Sequence, residues 1–143
     1  MPVRHTVHCA VYALIIKDNQ ILLSLRKNTG WMDGMHTLPA GHLEKNESLK
    51  EALVREVREE AGITVHETDL TLYHVMHRYD PHNQYIDFFF KVGYWTGEPR
   101  NAEPEKCEYV KWFELDVLPP NTIPHIKAAI GFYKGKLFFS ETE

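Results

Sequence analysis

Cysteine is scarce here: Cys9 and Cys107 are the only two in 143 residues. They lie far apart in no C-x-x-C pattern, which excludes a disulfide framework and points to the reducing cytoplasm. No apolar run reaches the length of a membrane span, and no charged n-region precedes an apolar stretch, so neither a span nor a signal peptide is expected. Lysine and arginine form no block, and the net charge is −4; the basic footprint of a nucleic-acid binder is missing. Repeats, low-complexity tracts and long linkers are absent too, so residues 1–143 are expected to form a single domain. At 43% apolar and 25% charged residues, the composition is that of a soluble globular protein with a sizeable core.

What the chain does have is an acidic helix. From Ser48 to Ala61 the residues Leu49, Leu53, Val54, Val57 and Ala61 recur on one stripe of a 3.6-residue wheel. Ser48 and Glu51 fit a capping box, and Gly62 suits the position just past the end. Glu56, Glu59 and Glu60 share the adjoining arc, with Glu60 aimed into the edge of the buried face. Carboxylates at this spacing repel one another and lose hydration near a core. A divalent cation would remove both objections, and oxygen donors of this kind suit Mg²⁺ or Mn²⁺.

Around this helix the pattern alternates. Residues 6–16 read as a strand, with 21–25 as its hairpin partner across a turn at 17–20. A polar loop from Arg26 to Asp33 carries Trp31, placed either to stack on a base or to cap the core. His36 to Leu38 is a short strand stopped by Pro39. After the helix, residues 70–79 and 85–94 read as a hairpin closed by Asp80-Pro81-His82-Asn83, and 107–113 as a further strand. A second helix is expected over 123–133, starting after Pro124, then a short strand or tail. Strands, helix, strands and a closing helix suggest a mixed sheet covered on both faces. In the apolar strand Tyr85, Phe88, Phe89 and Phe90 are mostly core, with Phe88 the candidate for a flat substrate wall beside Trp31. His5, His8 and Cys9 mimic a metal-ligand spacing, but neighbours on a strand point to opposite faces.

The full spacing is Gly41, five residues, Glu47, seven residues, Arg55-Glu56-Val57, one residue, Glu59-Glu60, one residue, Gly62-Ile63. At every fixed position it resembles the Nudix box of hydrolases that cleave a nucleoside diphosphate linked to another group. The resemblance implies an α/β/α sandwich with a central mixed β-sheet and Mg²⁺- or Mn²⁺-dependent attack on a phosphoanhydride. It implies metal ligation by Glu56, Glu59 and Glu60, joined by the carbonyl of Ala40. Arg55 then orients a neighbouring glutamate, with Glu59 within its four-residue reach, and Glu47 takes a supporting place.

A second likeness extends this. Asn101-Ala102-Glu103-Pro104-Glu105-Lys106-Cys107-Glu108 is similar to a loop of MutT-like nucleotide pyrophosphohydrolases, as is Leu38-Pro39-Ala40-Gly41-His42-Leu43-Glu44, where Ala40 replaces the usual glycine. This branch implies cleavage of a nucleoside triphosphate, including oxidised purines, to the monophosphate and pyrophosphate. The general base is a box glutamate or one outside the box, for which Glu103 and Glu105 are the candidates and Glu103 the choice. Within the class the rival substrates are ADP-ribose and dinucleoside polyphosphates, and outside enzymology the rival is a non-catalytic nucleotide sensor. The expected partner is a small nucleotide, with neither nucleic acid nor membrane, and homodimers are common in the family.

Overall fold

The computed structural model describes residues 2–142. In chain order these give β1 (His8–Leu14), β2 (Ile16–Lys17), β3 (Gln20–Arg26), β4 (His36–Thr37), β5 (Ala40–His42) and α1 (Leu49–Ala61). A 3-10 turn at Glu67–Asp69 precedes β6 (Leu70–Tyr79), β7 (Gln84–Val92), β8 (Cys107–Glu114), α2 (Pro124–Gly135) and β9 (Phe139–Thr142). One sheet runs β5-β1-β7-β6-β9 and is mixed: β1 is parallel to β7 and β6 to β9, while the other two pairings are antiparallel. The second sheet gathers β2, β4 and β8 around β3.

The period of two along β1 divides the core into two layers. Val11, Ala13 and Ile15 pack with α1 through Leu53 and Val57, and Ala10, Tyr12 and Leu14 pack with α2 through Ile126 and Ile130. The mixed sheet is thus covered on both faces, as the sequence pattern and the resemblance both imply. Leu53 and Val57 are fully buried, and each such side chain contributes about 1.5–3 kcal/mol.

Helix α1 starts and stops where its residues dictate. Ser48 Oγ accepts from the Glu51 N–H at 3.1 Å, and Glu51 Oε1 accepts from the Ser48 N–H at 2.9 Å. Gly62 takes a left-handed φ of 68° and donates to Arg58 O. One sequence expectation fails. β1 is not the hairpin partner of β3, because β5 and β7 already occupy both its edges. The chain changes sheets at Ile15, whose carbonyl accepts from Leu22 N–H at 3.0 Å, and only the two residues of β2 pair with β3. The β6–β7 hairpin stands as expected, its turn pinned by Asp80 Oδ1 accepting from the N–H groups of His82 and Asn83. The tail is a strand, β9, parallel to β6. No described helix is long and apolar enough to cross a membrane.

Candidate active site

Arg55 is the hub of the acidic helix. Its Nε and Nη2 donate to the two oxygens of Glu47 at 2.7 and 3.0 Å, a bidentate pair. Nη1 donates to Glu56 Oε1 at 2.6 Å and to Glu59 Oε2 at 3.4 Å, and Nη2 also reaches the carbonyl of His42 at 3.2 Å. The guanidinium therefore ties the loop before α1 to two helical glutamates. These bonds hold the Glu47 carboxyl below its ordinary range and the arginine above its own.

Glu56 and Glu60 reach inward. Burial raises the pKa of both; for Glu56 the Arg55 guanidinium opposes that rise, and for Glu60 the charge of Glu56 adds to it, so Glu60 stands well above the usual carboxylate range. The two carboxyls are in hydrogen-bonding contact, and Glu60 Oε2 accepts from the Ala40 N–H at 3.1 Å. Ala40 thus engages Glu60 through its N–H, whereas the resemblance implies a role for its carbonyl. Gly41 leaves room for this arrangement: a Cβ there would lie 2.1 Å from Glu56 Cδ. Glu59 has a half-exposed side chain turned toward Arg55. Among the described residues, no three acidic, histidine or cysteine side chains converge in a ready-made metal cluster. The donor chemistry nevertheless fits a hard divalent cation, since burial disfavours the charge of these two inward carboxyls and such an ion would offset that.

The glutamates open on a cavity of about 820 Å³. Glu103, Lys106 and Cys107 line it too, from a loop docked on the end of α1, where the Ala102 N–H donates to Glu60 O at 3.1 Å. Their loop is folded by Asn101, which donates to Cys107 O at 2.8 Å and accepts from the Glu103 N–H at 3.1 Å. Glu103 faces the cavity while Glu105 does not line it. Trp31 lines the cavity as well, 45% exposed, with Arg26 Cζ 5.0 Å from its ring. Phe88 requires a correction. It packs against the α1 layer and lines no part of the cavity; of the β7 residues only Tyr85 reaches it, on the strand face opposite to Ile86 and Phe88.

Tyr85, weighed from the sequence mainly as core, and three residues the sequence did not single out complete the wall. Tyr12, Arg78, Tyr85 and His125 line the cavity, and Arg78, Tyr85 and His125, with Trp31, also line an adjoining one of about 510 Å³. Arg78 Nε donates to Asp87 Oδ2 at 2.5 Å, and Asp87 is fully buried. A lone aspartate in the run YIDFFF was the available signal, because a buried carboxylate requires a partner. His125 is driven down to about 3 by burial and the nearby Arg78 charge, so its ring is neutral.

A mixed sheet between two helices, with an arginine-tied glutamate helix facing a nucleotide-sized cleft, defines a hydrolase of phosphoanhydrides. The chain belongs to the Nudix family: the family model described as NUDIX domain matches residues 6–132. It is 32% identical over 127 residues to the ADP-ribose pyrophosphatase of Methanocaldococcus jannaschii, covering 89% of this chain and 73% of that one. It is 31% identical over 111 residues to the NAD-capped RNA hydrolase NudC of Pseudomonas aeruginosa, covering 78% of this chain but only 37% of that relative. Among solved structures, the MutT NUDIX hydrolase from Burkholderia pseudomallei superposes with a TM-score of 0.81 at 29% identity, covering 89% of this chain and 98% of that one.

Proposed function

We propose that this Nudix hydrolase cleaves a nucleoside triphosphate to the monophosphate and pyrophosphate, using Mg²⁺ or Mn²⁺ held by Glu56, Glu59, Glu60 and the backbone of Ala40. The observation that carries this reading is the loop 101–107, which brings Glu103 and Lys106 to the same cleft as the helical glutamates. When bound, the cation neutralises phosphate charge and lowers the pKa of a water that attacks phosphorus. Arg55 orients Glu56 and Glu59 and holds them against mutual repulsion. Glu103 takes a proton from the attacking water. Lys106 and Arg26, both on the cavity wall, carry positive charge to the polyphosphate.

ADP-ribose is the second reading, supported by the 32% identity with the M. jannaschii ADP-ribose pyrophosphatase. Purified protein with Mg²⁺, given nucleoside triphosphates, oxidised purine triphosphates, ADP-ribose and diadenosine polyphosphates, separates the two by product chromatography. Monophosphate plus pyrophosphate supports the first reading; AMP plus ribose phosphate from ADP-ribose alone overturns it in favour of the second.

A further inference from the structure

The pair Arg78–Asp87 stands apart from the glutamate helix and from everything the hydrolytic step uses. Asp87 has no exposed surface, while the Arg78 side chain keeps 16% of its own. That exposed edge faces both cavities. Asp87 takes Nε at 2.5 Å and Nη2 at 3.4 Å; the Tyr12 hydroxyl lies in hydrogen-bonding contact with both partners. A guanidinium has five N–H donors in a rigid fork, so donors remain on the cavity side. Buried ion pairs often add little net stability over an apolar pair of equal volume. What this one does supply is a guanidinium fixed in direction.

We propose that Arg78 selects the base of the nucleotide by donating to the two acceptors, O6 and N7, on the edge of a 6-oxopurine. This rests on the reading that the cleft receives a nucleotide. Two observations assign Arg78 to a base rather than to phosphate. Its charge is compensated by Asp87, whereas Arg26 and Lys106 line only the first cavity and serve phosphate. Its surroundings are flat rings: its Cζ sits 4.3 Å from the Tyr85 centroid, and Trp31 and Tyr12 flank the same space. Arginine pairs bidentately with O6 and N7 of guanine, while adenine presents an amino donor at that edge. A donor facing a donor leaves both unpaired in a sheltered site, which sites of this kind reject strongly. Asn83, the neighbour that suits adenine, sits exposed at the hairpin tip, whereas Arg78 is held by a buried partner.

The test is kcat/KM for GTP, ITP, 7-deaza-GTP and ATP with the unmodified enzyme and with Arg78→Lys. GTP and ITP are expected to exceed ATP by roughly 10- to 100-fold. ITP keeps the advantage because it has the same edge, and 7-deaza-GTP loses much of it because N7 is gone. Arg78→Lys keeps a cation beside Asp87 but not the fork, so the GTP-to-ATP ratio falls toward one. Equal rates for GTP and ATP, or a ratio that survives in folded Arg78→Lys, overturn the proposal. The 7-deaza comparison needs no variant and stands if Arg78→Lys fails to fold. If no triphosphate is cleaved, the reaction reading fails separately, and the ratio is read instead between a GDP-sugar and an ADP-sugar, with the same outcomes deciding.

Discussion

Gly41→Ala should disable the enzyme while leaving it folded, and the reason is a single steric overlap. An added Cβ would lie 2.1 Å from Cδ, 2.3 Å from Oε1 and 2.4 Å from Cγ of Glu56. All three atoms belong to one side chain, which can rotate away. Gly41 does not occupy the left-handed region, so alanine meets no backbone strain, and less chain entropy is lost on folding. Against that gain stands the 2.6 Å bond from Arg55 to Glu56, weakened when the carboxylate moves. The net stability change should be within about 1 kcal/mol, a shift in Tm of roughly 3–5 °C. Activity is another matter, because a displacement of about 1 Å at a reacting centre costs on the order of 100-fold. Steady-state kcat/KM across a Mg²⁺ series, beside thermal melts, measures both. The variant should lose roughly 100-fold in kcat/KM and require more Mg²⁺ for half-maximal rate. Activity near that of the parent would refute the idea that Gly41 exists to seat Glu56. A collapse in Tm would refute the claim that Glu56 can swing aside.

The acidic helix was legible in the sequence because everything that defines it is local. Ser48, Glu51 and Gly62 mark its ends within a turn of chain, and Arg55 meets Glu56 and Glu59 one and four residues on. The base end of the cleft was not legible, because it is assembled from distant positions with ordinary local patterns. Tyr12, Arg78, Tyr85 and His125 come from β1, β6, β7 and α2. Phe88 shows the cost of a missing global frame. On a strand a step of one residue exchanges faces, and no pattern in YIDFFF says which face looks at α1 and which at the cavity. The β1–β3 misreading has the same origin. A turn at 17–20 does predict a hairpin, but only the pairing of β1 with β7, more than seventy residues away, decides how little of β1 is left to join it.

Two further substitutions probe each end of the cleft. Glu60→Gln should lower turnover by at least roughly 100-fold, yet raise the Tm measured in EDTA. It removes a carboxyl whose charged form is disfavoured by burial and by Glu56, while an amide oxygen still accepts from the Ala40 N–H. A lower Tm would show that the Glu60 charge stabilises the metal-free fold. At the other end, His125 gives a stability change with a definite sign. Its pKa falls from 6.5 unfolded to about 3 in the fold, so the unfolded chain binds the extra proton first as pH drops. Stability contributed by the neutral ring is complete above about pH 6.5 and is lost as pH falls toward 3, with a slope of at most about 1.4 kcal/mol per pH unit. The glutamates and Asp87, whose pKa values are raised, act with the opposite sign, so the readout is the difference between the parent and His125→Asn. Between pH 7 and pH 4.5 the parent should lose more Tm than the variant, because asparagine has no proton to take up. Parallel losses would mean that the His125 ring is free to protonate where it stands, and that its contacts with the Tyr12 and Trp31 rings do not keep water from it.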